Sequence, residues 1–249
     1  VKITPMYKNI IFDLYGTLVD IHTDEQNPKF WQKFAGLLKE DGLSYDPKEL
    51  QKTYLGLVEA ALSRIPHSPY PDTRVYSVFE TLFRLQSVQV TPERLLWVTR
   101  QFRSFSTEYI RLYPGIQELL QKLNKAGANL YILSNGQREF SEGELTALGI
   151  YSYFKKAYFS ADYEMSKPDP QFFQVLLTKE QLEPSDCVMV GNDHTTDIAG
   201  ANAIGIDSVY IQSNHSHPVP LESVMSTYTI AQTAHPGKAL EALLLETYA

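Results

Sequence analysis

The stretch Asn9-Ile10-Ile11-Phe12-Asp13-Leu14-Tyr15-Gly16-Thr17-Leu18-Val19-Asp20 decides how this chain is read. Ile10 to Phe12 is β-branched and aromatic, which predicts a short buried strand. That strand ends abruptly in a carboxylate, Asp13, after which Gly16 and Thr17 turn the chain. Open α/β sheets bind ligands at the carboxyl ends of their strands. An acid delivered there beside a glycine turn is therefore a candidate site residue. Taken alone, Asp13 could equally be a cap for the turn that follows; three later segments weigh against that.

Outward from this stretch the texture changes twice. After a polar connector (Thr23, Asp24, Glu25, Asn27, Pro28), apolar residues recur every three or four positions: Phe30, Trp31, Phe34, Leu37 and Leu38. Asp46-Pro47 and Thr91-Pro92 are helix starts, the first with Asp46 as N-cap and Pro47 at the first helical position. From Pro28 to Tyr109 the pattern is nearly all helical, with no convincing strand, and its aromatic stripes read as a bundle core. From Tyr113-Pro114-Gly115 onward, strands alternate with helices. The strands are Asn129–Leu133, Ala157–Ser160, Cys187–Val190 and Ser208–Ile211, and a last helix holds Leu240, Leu243 and Leu244. Such alternation predicts a parallel sheet with right-handed crossovers. The expected fold is α/β: a Rossmann-like parallel-sheet core, residues 1–17 and 110–249, with an all-helical domain, residues 18–109, inserted after the first strand.

Composition excludes several classes of function. A net charge of −7 over 249 residues argues against non-specific nucleic-acid binding and against docking on an anionic membrane surface. No apolar run approaches the ~20 residues that span a bilayer, and Val1 to Lys8 does not resemble a signal peptide. The one cysteine, Cys187, opens an apolar run and reads as a buried structural thiol in a reducing cytosol, so a cytoplasmic location is expected.

In a parallel sheet all the strands end on one edge, so Asp13, Ser134-Asn135, Lys167, and Asp193 with Asp197 should converge. Asp193 and Asp197 are four apart at a helix start and can point toward one spot. Each residue has a plain structural reading as a cap, a turn former or a solvated lysine, but the set on one edge suits displacement at phosphorus or carbon. Asp13 would be an anionic nucleophile. Lys167 would offset the gathered charge, and Ser134 with nearby backbone N–H groups would donate to substrate oxygens. Asp13 and Asp193 could share a hard cation such as Mg²⁺.

Asp13-Leu14-Tyr15-Gly16-Thr17-Leu18-Val19-Asp20, Leu133-Ser134-Asn135-Gly136, Lys167-Pro168 and Gly191-Asn192-Asp193 through Asp197 resemble the four ordered motifs of the haloacid dehalogenase-like hydrolases. The helical block resembles that family's cap inserted directly after the first motif. The resemblance implies a covalent intermediate on Asp13, with Thr17, Ser134, Asn135 and Lys167 binding the transferring group. It implies Mg²⁺ held by Asp13, Asp193 and the carbonyl of Tyr15, with Asp197 orienting metal-bound water. The partner would be a small anionic molecule.

One departure matters. Phosphatases of this family usually carry a second Asp two residues after the nucleophile as general acid and base, and here that position is Tyr15. Tyr has an ordinary pKa near 10, which makes it a poor base at neutral pH. The 2-haloacid dehalogenases of the family do carry Asp-x-Tyr-Gly-Thr and use no metal. They also place an arginine early in the cap, whereas no Arg occurs here between Asp13 and Arg64, and Asp193 would have no purpose without a metal. The reading favoured is a magnesium-dependent phosphatase of a small phosphate ester working through an aspartyl-phosphate. The alternatives are a metal-independent 2-haloacid dehalogenase and a non-hydrolytic phosphate-ligand binder. Arg64, His67, Arg74 and Arg103 are the cap candidates for an anionic leaving group.

Overall fold

The computed structural model describes residues 2–248. In chain order its elements are β1 (Lys2–Pro5), β2 (Asn9–Phe12), β3 (Val19–Thr23), α1 (Pro28–Glu40), α2 (Pro47–Leu62), α3 (Val75–Leu85), α4 (Pro92–Ser106), β4 (Thr107–Leu112), α5 (Ile116–Lys125), β5 (Asn129–Ser134) and α6 (Arg138–Ala147). They continue with β6 (Lys156–Phe159), α7 (Pro170–Glu180), β7 (Cys187–Gly191), α8 (Ala199–Ala203), β8 (Asp207–Ile211), β9 (Tyr228–Ile230), α9 (Pro236–Leu244) and β10 (Leu245–Tyr248).

Six strands form one parallel sheet in the order β6-β5-β2-β7-β8-β9. The strand bearing Asp13 at its end is therefore central, paired with β5 on one side and β7 on the other. Successive side chains of a strand point to opposite faces, and β2 is apolar on both. Ile10 and Phe12 pack with Leu119 and Leu123 of α5 and Leu240 and Leu244 of α9. Ile11 packs on the other side with Phe172, Phe173 and Leu176 of α7. Both faces are covered, as a parallel sheet requires.

Helices α1 to α4 bury a separate core of their own, including Phe30, Trp31, Phe34, Tyr54, Phe79 and Phe102. Their starts follow the sequence signals: Asp46 accepts from the Lys48 N–H at 3.0 Å, and Thr91 from the Arg94 N–H at 3.2 Å. The rings mesh edge to face, with Phe102 centred 5.0 Å from Phe30 and 5.1 Å from Phe34.

Three parts of the fold differ from the sequence reading. Helix α4 stops at Ser106, and Thr107–Leu112 is a strand antiparallel to β3, although the helical pattern extends to Tyr109. Ile110 and Leu112 also alternate with exposed Arg111 as a strand would, and pairing with Val19–Thr23 decides the outcome. Strand β9 adds a sixth strand from a segment with little apolar patterning. Strands β1 and β10 pair the two chain ends antiparallel, a contact between residues about as far apart in sequence as the chain allows.

Candidate active site

The loops at the carboxyl edge of the sheet enclose a cavity of about 230 Å³. Asp13, Tyr15, Ser134, Asn135, Lys167, Asn192, Asp193, Thr196, Asp197 and His215 line it. Nearly all the core candidates read from sequence are thus brought together; the exception among them is Thr17, which sits behind Asp13. Its Oγ1 lies 2.9 Å from Asp13 Oδ2 and 3.1 Å from Asn192 Oδ1, and its single proton serves one of the two.

Two glycines make this closeness possible. Gly16 adopts φ +86°, and a Cβ there would lie 2.5 Å from the Asn192 amide, so both the turn and the contact require glycine. A Cβ on Gly191 would fall 2.2 Å from a carboxylate oxygen of Asp197.

Lys167 is the electrostatic centre. Its Nζ donates to Asp13 Oδ1 at 2.7 Å and to Asp197 Oδ1 at 2.6 Å, and its side chain is only 2% exposed. Burial alone would disfavour its charge, but the two carboxylates outweigh burial and hold the ammonium above its ordinary range. Burial raises the Asp197 carboxyl, against the pull of Lys167. The other Asp197 oxygen accepts the backbone N–H of Asp193 at 3.0 Å, so both of its oxygens are engaged and it ties Lys167 to the start of the 194–198 turn.

Ser134 and Asn135 divide their labour. Asn135 clamps the Lys167 backbone, accepting its N–H at 2.8 Å and donating to its carbonyl at 3.0 Å. The peptide that follows, Lys167–Pro168, is cis. Ser134 Oγ is buried without a hydrogen-bond partner although it lines the cavity. A buried hydroxyl is normally paired, so this one is available to an oxygen of a bound group.

Three carboxylates, those of Asp13, Asp193 and Asp197, face one lysine in this cavity. Asp193 caps the following turn through Oδ1, which accepts from the Thr195 N–H at 2.8 Å. Its Oδ2 lies 3.9 Å from His217 Nε2. The Gly16 N–H bonds the Val19 carbonyl, and the Val19 N–H bonds the Leu14 carbonyl, which leaves the intervening Tyr15 carbonyl outside the ladder. Among the described residues, no three His, Cys, Asp or Glu side chains are arranged to hold a metal. Two carboxylates and a carbonyl, with the remaining positions left to water and substrate, are nonetheless the donor set that Mg²⁺ prefers. The excess of negative charge fits a divalent cation.

Tyr15 presents its ring to the cavity and its hydroxyl to α6. The hydroxyl donates to Glu144 and so must accept from Ser141, whose Oγ is 2.8 Å away. Burial, reinforced by the Glu144 charge, drives the phenol well above its ordinary pKa. The hydroxyl is committed and cannot readily ionise.

Sequence reasoning missed Asn192, Thr196 and His215. The first two lie inside a motif already singled out. His215 follows the carboxyl end of β8 on the same sheet edge, and that strand-end rule was the signal that could have found it. Of the cap candidates, none lines the cavity. Arg74 pairs with Glu139 and Arg103 with Glu144, both acids being on α6, and Arg64 and His67 are exposed.

Fold and site together define a doubly covered parallel-sheet α/β protein whose strand-end cavity gathers acids around one buried lysine. The sequence profile of the haloacid dehalogenase-like hydrolases matches residues 10–211, and the chain belongs to that family. It is similar to the pyrimidine 5'-nucleotidase PynA of Streptococcus pneumoniae, 25% identical over 84% of this chain and 85% of the relative. Two crystal structures share the fold. One, of a dehalogenase with intermediate complex, is 20% identical over 98% of this chain and all (100%) of the other, with a TM-score of 0.60. The second, of a predicted phosphoglycolate phosphatase from Haemophilus somnus, is 21% identical over 95% and 98%, with a TM-score of 0.57.

Proposed function

We propose that this hydrolase is a magnesium-dependent phosphatase of small phosphate esters that works through an aspartyl-phosphate on Asp13. The observation that carries the reading is the Lys167 ammonium, held between Asp13 and Asp197 beside the unpartnered Ser134 hydroxyl. That arrangement suits a tetrahedral anion. Asp13 has one oxygen oriented by Lys167 and the other by Thr17. It attacks phosphorus, the bond from phosphorus to the ester oxygen breaks, and the alkoxide leaves and takes a proton from solvent. Water then attacks phosphorus and breaks its bond to Asp13, releasing inorganic phosphate and a proton and returning the carboxylate. Ser134 donates to a phosphoryl oxygen, Lys167 offsets the charge of nucleophile and substrate, and Asn135 fixes the backbone that carries Lys167.

Asp13, Asp193 and the Tyr15 carbonyl would hold Mg²⁺, with Asp197 behind them; the ion would neutralise charge on the phosphoryl oxygens. The residues 18–109 act as the cap and 1–17 with 110–249 as the core. The paired strands β3 and β4 lie at both boundaries and form the hinge. Closure over the cavity would exclude water until the second step. A buried lone thiol and an acidic balance suit a cytoplasmic enzyme.

With Tyr15 committed elsewhere, leaving groups of low pKa should be favoured because they need little protonation. A panel of pyrimidine nucleoside monophosphates, phosphoglycolate, phosphoserine, aryl phosphates and 2-haloacids, each assayed with Mg²⁺ and with chelator, tests the reading. Phosphate release that needs Mg²⁺ and disappears in Asp13→Asn is expected. Halide release that survives chelator would replace the reading with a dehalogenase, and saturable phosphate-ester binding without turnover would replace it with a binder.

A further inference from the structure

Tyr15 lies two residues beyond Asp13, and its contacts run from the cavity to the helical cap. Its ring is a cavity wall beside Gly136, where an added Cβ would come 3.7 Å from a Tyr15 ring carbon. Its hydroxyl holds Glu144 of α6. The other oxygen of that carboxylate accepts from Arg103 Nε of α4 at 2.7 Å. The same guanidinium sits 5.2 Å from the Tyr15 ring centroid and 5.5 Å from that of Phe140. Both charged side chains are largely covered, Arg103 at 16% and Glu144 at 15% exposure.

The connectivity separates the cluster into two halves. Tyr15, Ser141 and Glu144 all belong to the core, so their mutual hydrogen bonds survive any motion of the cap. Arg103 belongs to the cap and meets Glu144 and the Tyr15 ring only when α4 lies against α6. We propose that Tyr15 is the positioning residue of a cap latch: its hydroxyl sets Glu144 to receive Arg103, and its ring forms the cavity wall beneath the docked guanidinium. The residue is a structural reporter of closure with no part in proton transfer. The chemistry of the pair favours this use. Arginine's planar fork demands an oriented carboxylate, and a phenol hydrogen bond supplies that orientation without adding charge beside Asp13.

The inference rests on the reading of α1 to α4 as a mobile cap and is independent of the substrate. The only native cysteine, Cys187, is buried with its Sγ 3.2 Å from the Glu183 carbonyl, so introduced surface cysteines can be labelled alone. Spin labels at Leu55→Cys on α2 and Gln121→Cys on α5 report the distance from cap to core by double electron–electron resonance. The full chain should show a short-distance population. Tyr15→Phe, which keeps the ring and removes the hydroxyl, should cut the ratio of that population to the long-distance one about fivefold, the worth of having one rotamer-rich side chain, Glu144, already ordered before Arg103 docks. Glu144→Gln should do the same, and Arg103→Lys should recover more of the closed form than Arg103→Gln. On any substrate found, Tyr15→Phe should raise KM and leave the shape of the pH–rate profile intact.

A Tyr15→Phe distance distribution that superimposes on the wild type overturns the proposal. So does a wild type with no short-distance population, or a limb of the pH–rate profile that vanishes with the hydroxyl. Glu144→Gln provides the same distance test should Tyr15→Phe fail to fold. The distances need no turnover, so a chain inactive on every phosphate ester would leave this test standing, and a failed latch would leave the phosphatase reading standing.

Discussion

At the scale of single residues, the site is a problem in buried charge. Lys167 is the one cation among three carboxylates, and its removal strands two of them. Breaking a buried pair on one side costs about 3–5 kcal/mol. Lys167→Met should therefore lower stability by about that amount in urea titrations at neutral pH with chelator present. The pH dependence has a definite sign. Burial already holds the Asp197 carboxyl above its ordinary value of 3.8, with Lys167 pulling it down. Without the lysine, Asp197 rises further. A carboxyl raised on folding destabilises when ionised, so the penalty is fully present above the folded pKa and fades as pH falls toward the ordinary value. The variant should thus close part of its deficit on acidification toward pH 4. A deficit that stays constant from pH 7.5 to pH 4 would show that Lys167 acts through packing instead of charge.

At the scale of elements, the paired strands β3 and β4 are tied to the core through one acid. Asp20 of β3 is buried and accepts from Arg111 at 2.7 Å and Tyr109 at 3.2 Å, both on β4. From the loop after β8 it meets Asn214 at 3.1 Å and His215 at 3.0 Å. That loop also reaches the segment before Asp193, where Ser216 Oγ donates to the Asn192 carbonyl at 2.8 Å. Burial would raise the Asp20 carboxyl, but the hydrogen bonds from Asn214, Arg111, His215 and Tyr109 prevail and bring it down to about 2. A carboxylate depressed on folding contributes stability that is fully present above its unfolded pKa, near 4, and is lost as pH falls through the folded one. Asp20→Asn should cost about 2 kcal/mol at neutral pH, and the gap to the wild type should narrow between about pH 4 and pH 2. Chemical unfolding across that range checks it; a gap that persists at pH 2 would assign the loss to packing.

At the scale of the whole molecule, two cores that share few side chains suggest two cooperative units. One surrounds the sheet; the other is the ring cluster of α1 to α4. Both tryptophans in the chain, Trp31 and Trp97, lie on α1 and α4, so tryptophan fluorescence reports the bundle while circular dichroism reports every helix. Phe102 touches Phe30, Trp31, Phe34, Tyr54 and Phe79. Phe102→Ala should cost about 3–5 kcal/mol and should fall on the bundle first. Its fluorescence transition should precede the circular dichroism transition, where the wild type has the two closer together. Coincident transitions in the variant would mean that the contacts between α4 and α6 fuse the two units.

The sequence by itself determined the parts that rest on local pattern and chain order. Alternation of strand and helix after Tyr113 implied the parallel sheet, because crossovers of that length leave little other choice. Since parallel strands end on one edge, the order of strands and motifs along the chain is enough to bring Asp13, Ser134, Lys167 and Asp193 together. Pro47 and Pro92 marked helix starts because proline's missing N–H costs nothing there. Tertiary structure alone decided the rest. Thr107–Leu112 became a strand because Val19–Thr23 was there to pair with it, and the chain ends met as β1 and β10, at a separation that no local pattern encodes. Most of all, the orientation of Tyr15 depended on Glu144 and Arg103, residues 129 positions apart and 41 positions apart along the chain in the two contacts that fix it. Identity at a motif position says which groups are available; which of them a hydroxyl bonds depends on what packing brings within reach.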